Sequence, residues 1–117
     1  MSKSDNPIQQ KKAADPNYHT FHHAPTIIVV SGLENTKAIE FDCAAATENM
    51  IIAAESLGLS SCWIGSAEIS LANDEIKKSL GIPEGYKAFY ALALGYNSSN
   101  EKVKPAPRKE NTVNYVR

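Results

Sequence analysis

Between Asp42 and Leu57, apolar residues recur every three or four positions. Ala46, Met50, Ala53 and Leu57 form the stripe, and Cys43, Ile51 and Ala54 widen it. That period predicts an α-helix over 42–57. Asp42 suits its N-cap and Gly58 its left-handed stop. The alanines at 44, 45, 46, 53 and 54 raise helix propensity and leave room for another helix to approach closely. Thr47, Glu48, Glu55 and Ser56 are expected to face outward or meet a partner. Other apolar stretches lack this period. Thr26–Ser31 (TIIVVS) is rich in β-branched residues and apolar on both faces, which predicts an interior strand entered through Pro25. Leu59–Ile64 (LSSCWI) predicts a short strand closed by Gly65. Ala88–Tyr96 (AFYALALGY) predicts a central strand between Gly85 and Gly95. Before it, Asn73 or Ser70 starts a helix carrying Ile76 and Leu80, which Gly81 stops and Pro83 blocks.

The two ends are polar. Between Pro7 and Pro16, PIQQKKAAD suits a helix of about two turns. From Asn97 onward, prolines and the cations Lys102, Lys104, Arg108, Lys109 and Arg117 predict an extended tail. Val113, Tyr115 and Val116 give that tail something to dock with. The chain thus divides into a polar segment (1–20), a core (21–97) and a tail (98–117). Strand–helix–strand order by itself favours parallel pairing through right-handed crossovers. A three-stranded sheet has two open edges, and with the alanine-rich helix and the tail this predicts a homodimer.

Composition narrows the function. With 117 residues, 43% hydrophobic and 21% charged, the chain suits one compact domain. A net charge of −1 gives no electrostatic basis for binding nucleic acid or an anionic membrane. No apolar run is long enough to span a bilayer, and the start lacks the apolar core of a secretory signal. Cys43 and Cys62, without CxxC spacing, read as buried thiols in a reducing cytoplasm.

Candidate chemistry is sparse. Gly-rich phosphate loops, G-x-S-x-G and H-E-x-x-H are all missing from the sequence. His19, His22 and His23 lie close together but have no Cys or carboxylate at ligand spacing, so no metal site is assigned. Asp42 and Glu48 read as a cap and a solvated charge. Two features remain. At Trp63–Ile64–Gly65 a strand ends on glycine, where a backbone can approach a flat ligand. In KPAPRKE, Lys104, Arg108 and Lys109 sit on a proline-stiffened segment suited to a phosphate.

Four ordered blocks resemble the nitroreductase family of FMN-dependent NAD(P)H oxidoreductases: FHHAPTIIVVSG (Phe21–Gly32), DCAAATENMIIAAESLGLSSCWIG (Asp42–Gly65), LGIPEGYKAFYALALGY (Leu80–Tyr96) and KPAPRKE (Lys104–Glu110). The resemblance covers the family's C-terminal half. It implies an α+β fold whose mixed, largely antiparallel sheet is flanked by helices, truncated at the N-terminus. It also implies an intertwined homodimer, with the helix at 42–57 in the dimer core and the tail embracing the partner. FMN is then expected at the subunit interface, passing electrons from NAD(P)H to a nitroaromatic or quinone acceptor. Cys62, Trp63, Ile64 and Gly65 match the segment beside the flavin ring. Arg108, and less closely Lys109, matches the tail cation on the FMN phosphate. The family's N-terminal phosphate motif has no counterpart before Phe21, so the alternative is a non-catalytic dimeric module of the same fold or an inactive fragment.

Overall fold

The computed structural model describes residue 7, residues 16–17, residues 19–99 and residues 104–117. Apart from Pro7, the helix expected over 7–15 lies outside the described residues, as do Tyr18 and Lys102.

Strand β1 (Thr26–Leu33) is followed by helix α1 (Ile39–Ser56), strand β2 (Ser60–Trp63), short helices α2 (Ala67–Leu71) and α3 (Asp74–Ser79), and strand β3 (Tyr86–Gly95). The sheet order is β1-β3-β2, and β3 runs antiparallel to both neighbours. Strand–helix–strand order by itself favours parallel pairing, which is not found; the largely antiparallel sheet that the resemblance implies is what the structure has. β1 and β2 do run in the same direction, as a crossover through α1 dictates. They never touch, because β3 inserts between them with the opposite direction. β3 is central, as its unbroken apolar run predicts. β1 is an edge strand rather than an interior one. Its apolar residues on both faces reflect two helical layers, not two neighbouring strands.

Those layers lie on opposite faces. α1 packs against all three strands. Gly32 permits its close approach: a Cβ there would lie 2.6 Å from Ile39 Cδ1 and 2.9 Å from Cys43 Sγ. On the other face Ile64, Ala67 and Leu71 bury against Ala88, Ala91 and Ala93, with Phe21, Ile27, Val29 and Ile82 at the margin. One irregularity reconciles the two faces. The register moves from Val30↔Tyr90 to Ser31↔Ala88, leaving Phe89 as an extra residue. This bulge returns Ala88 to the α2 side after Phe89 and Tyr90 have turned toward α1.

α1 begins earlier than its sequence signal. Ala38, left-handed at φ 63° and without a side-chain cap, precedes it, and the Asp42 N–H already donates to the Ala38 carbonyl at 3.1 Å. Asp42 thus sits in the first turn, where its charge complements the helix dipole, and is not the N-cap. The Ile39–Gly32 contact accounts for the earlier start. At the other end Gly58, at φ 75°, closes the helix as expected. Leu59 N–H donates to the Ala54 carbonyl at 2.9 Å and Gly58 N–H to that of Glu55 at 3.1 Å, the paired bonds of a Schellman stop.

The predicted stripe also needs correction. Cys43, Thr47 and Ala54 are the buried residues of α1. Ala46, Ala53 and Leu57 point outward, with Phe41 and Ile52 beside them. Thr47, expected outside, is fully buried because its hydroxyl donates to the Cys43 carbonyl at 2.7 Å and leaves no polar group unpaired. Asn73 caps α3, its Oδ1 accepting from the amides of Glu75 and Ile76. α2 is a separate short helix ahead of the one expected to start at Asn73 or Ser70. Residues 104–117 are exposed throughout and form no helix or strand, with a bend at Glu110–Asn111 where Asn111 is left-handed at φ 57°.

Candidate functional site

β2 carries the segment singled out by sequence. Its residues pair with the far half of β3, from Ser60↔Gly95 to Trp63↔Leu92. One further bond, Ile64 N–H to the Ala91 carbonyl at 2.9 Å, continues the ladder past the strand's end. The chain then turns into α2, with Ala67 N–H donating to Ile64 O at 3.2 Å and Glu68 N–H to Gly65 O at 3.4 Å.

The four residues of this segment have different surroundings. Cys62 is exposed on a four-residue strand that has no outer neighbour among the described residues, which corrects its expected burial. Trp63 is half-buried and meets Tyr90 edge-on, ring centroids 4.7 Å apart. Ile64 is buried, and both its backbone groups are engaged. Gly65 is exposed, and a Cβ there would meet nothing within 4 Å. Its N–H makes no hydrogen bond among the described residues. Packing within the chain therefore does not require glycine at 65, whereas a flat ligand laid against this backbone would.

Tyr90 is the neighbour that sequence reading missed, because an aromatic inside an apolar strand looks like ordinary core. Burial pushes its hydroxyl above the usual tyrosine range, and the charge of Glu40, then Cys43 and Glu68, adds to the shift. The phenol stays neutral at physiological pH.

Arg108 and Lys109 stand on the exposed tail with no ion pair or hydrogen bond among the described residues. The fold does not join them to Cys62–Gly65 within one chain. His19 and His23 stack at 4.2 Å, and the His23 amide donates to His19 Nδ1 at 3.2 Å. Among the described residues no three His, Cys, Asp or Glu side chains are grouped to hold a metal ion. A shallow groove of about 380 Å³, lined by Ile51, Ile52, Glu55, Ser60 and Ser61, runs beside the start of β2, away from Trp63–Gly65.

Comparison with known proteins adds the family. The nitroreductase family model matches residues 2–96. A nitroreductase with bound FMN from Bacteroides fragilis superposes with a TM-score of 0.86 at 35% identity, over 98% of this chain and 63% of that one. An FMN reductase (NADPH) from Bacillus subtilis is 37% identical over 90 residues, 70% of this chain and 35% of that protein. An Archaeoglobus fulgidus relative is 42% identical over 55 residues, 47% of this chain and 32% of that protein. The chain thus spans about a third of the length of these curated relatives. These findings correct the expected extent of the likeness. It is not confined to a C-terminal half beginning at Phe21, and the fold is not an N-terminally truncated version of the family's, since residues from 2 onward fall within the match. Polar residues before Phe21 hid this, because a segment with few apolar positions carries little periodic signal.

Proposed function

This chain belongs to the nitroreductase family, and on that basis we propose that it acts as an FMN-dependent oxidoreductase, moving electrons from NAD(P)H to a nitroaromatic or quinone acceptor. The observation that carries the proposal is the likeness, over nearly the whole chain, to a Bacteroides fragilis nitroreductase that holds FMN. The donor set is compatible with a flavin. Gly65 offers an uncommitted N–H and an open backbone face. Trp63 supplies aromatic surface beside it, and Cys62 and Ile64 complete the wall. The Ile64 amide is already bonded to Ala91, so Gly65 is the backbone donor of this pair. Arg108 and Lys109, unpaired among the described residues, are the cations assigned to the phosphate. When bound, FMN accepts and releases the electron pair, while these residues orient it and tune its electronics.

The same reading includes a homodimer. Phe41 (76% exposed) and Leu57 (73%) at the two ends of α1, and Tyr115 (80%) on the tail, are large apolar side chains that this chain leaves uncovered. A second copy covering α1 would also bring a second tail into reach. The described residues contain no helix long and apolar enough to cross a membrane. Both cysteines are free, which suits a reducing cytoplasm where NAD(P)H is present.

The test is reconstitution of the full chain with FMN, followed by its visible spectrum and NAD(P)H oxidation with a quinone or nitroaromatic acceptor. Stoichiometric yellow protein with turnover is expected. Colourless protein without turnover would overturn the activity and leave a non-catalytic member of the family.

A further inference from the structure

Of the four residues in the wall assigned to the cofactor, the chain anchors Trp63, Ile64 and Gly65 unequally. Ile64 is fixed by its bond to Ala91 and by burial at 4% exposure. Gly65 has no hydrogen bond from its amide among the described residues and no packing at its Cα. Trp63 is the last residue of β2, only half-buried, and its ring rests on Tyr90 at an interplanar angle of 68°. Tyr90 is in turn held by the bulge. With Phe89 as the extra residue, the Phe89 and Tyr90 rings lie together on the α1 side, centroids 6.1 Å apart. Lys87 Nζ sits 5.2 Å over the Phe89 ring and closes this aromatic row.

We propose that Tyr90 is a positioning residue, whose ring sets the orientation of Trp63 within that wall; this rests on the flavin reading of the wall. The ring carries the role rather than the hydroxyl, which makes no hydrogen bond among the described residues. Edge-to-face aromatic pairs contribute beyond simple burial. Replacing the ring with an aliphatic side chain therefore frees Trp63 even where volume is kept.

Trp63 is the one tryptophan of the chain, so all tryptophan emission comes from this position. The experiment compares the full chain with Tyr90→Phe and Tyr90→Leu, reading Trp63 emission without ligand and then FMN affinity by titration. Tyr90→Phe should match the parent in both. Tyr90→Leu should shift the emission and weaken FMN binding by about tenfold, on the order of the upper range for an aromatic pair. Unchanged FMN affinity in Tyr90→Leu would overturn the positioning role, as would an equal loss in Tyr90→Phe, which would assign the effect to the hydroxyl. If the parent itself binds no FMN while Tyr90→Leu still shifts the emission, the flavin reading fails and the positioning role fails with it, but the ring contact stands. Should Tyr90→Leu not fold, Tyr90→Met keeps a similar length without the ring and supports or overturns the same quantities.

Discussion

The two sides of α1 show how loosely hydrophobicity and burial are linked in this chain. The side on the sheet buries a cysteine, a threonine and an alanine. The side away from it exposes Phe41, Ile52 and Leu57, with Ala46 and Ala53 between them. By hydrophobicity alone the second side is the better core. Distance decides otherwise. α1 lies so close to β1 at Gly32 that only small side chains, or a threonine that bonds its own helix, fit between them. The larger apolar residues are left on the outer side, where a partner's surface would give them their burial.

The largest test of this contrast is Gly32→Val. It forces a branched side chain into Ile39 and Cys43 and should cost about 3 kcal/mol, read as a lower urea midpoint at unchanged slope. An unchanged midpoint would mean that α1 does not sit as close as described. Phe41→Glu combined with Leu57→Glu probes the other side. Folding by circular dichroism should persist, while self-association, measured by sedimentation, should weaken at least about tenfold, or about 1.4 kcal/mol. If the double variant unfolds the chain instead, the outer side belongs to the monomer's own core. The smallest effect concerns the thiols. Native protein should lose Cys62 to an alkylating reagent rapidly and Cys43 only on unfolding. Burial, then the charge of Asp42, raises the Cys43 thiol above its ordinary value of 9.0. Its stabilising contribution is therefore complete below that value and is lost as pH rises toward the higher folded one. Cys43→Ser should flatten that alkaline decline.

This contrast also explains what the sequence could and could not reveal. Ala88–Tyr96 reads as a central strand because a strand covered on both faces needs an unbroken apolar run, and β3 has one. Gly58 and Asn73 are legible because their roles are local, a left-handed stop and a side-chain cap. The direction of β3 is not local. Nothing in Tyr86–Gly95 records which way its neighbours run, so the connections suggested parallel pairing and the structure is antiparallel. The buried side of α1 was hidden for a similar reason. Its identity depends on Gly32 in a different element, and the stripe chosen by period, Ala46–Met50–Ala53–Leu57, is mostly the outer one. At the candidate site, strand end and glycine were legible in Trp63–Gly65. The contact with Tyr90 was not, because it arises from the bulge at Phe89, a register shift without a sequence signature of its own.

The position of β3 has a consequence for how the chain comes to be folded. Among the described residues β1 and β2 pair only with β3, and β3 follows both of them in sequence. During synthesis neither of these pairings can form until Tyr86–Gly95 has emerged. Thr26 then pairs with Leu94 across most of the chain's length, so closure of a long loop precedes every sheet bond. Until that moment α1, with apolar residues on both sides, is the element most exposed to unwanted association. The sheet described here thus depends on prompt completion of β3.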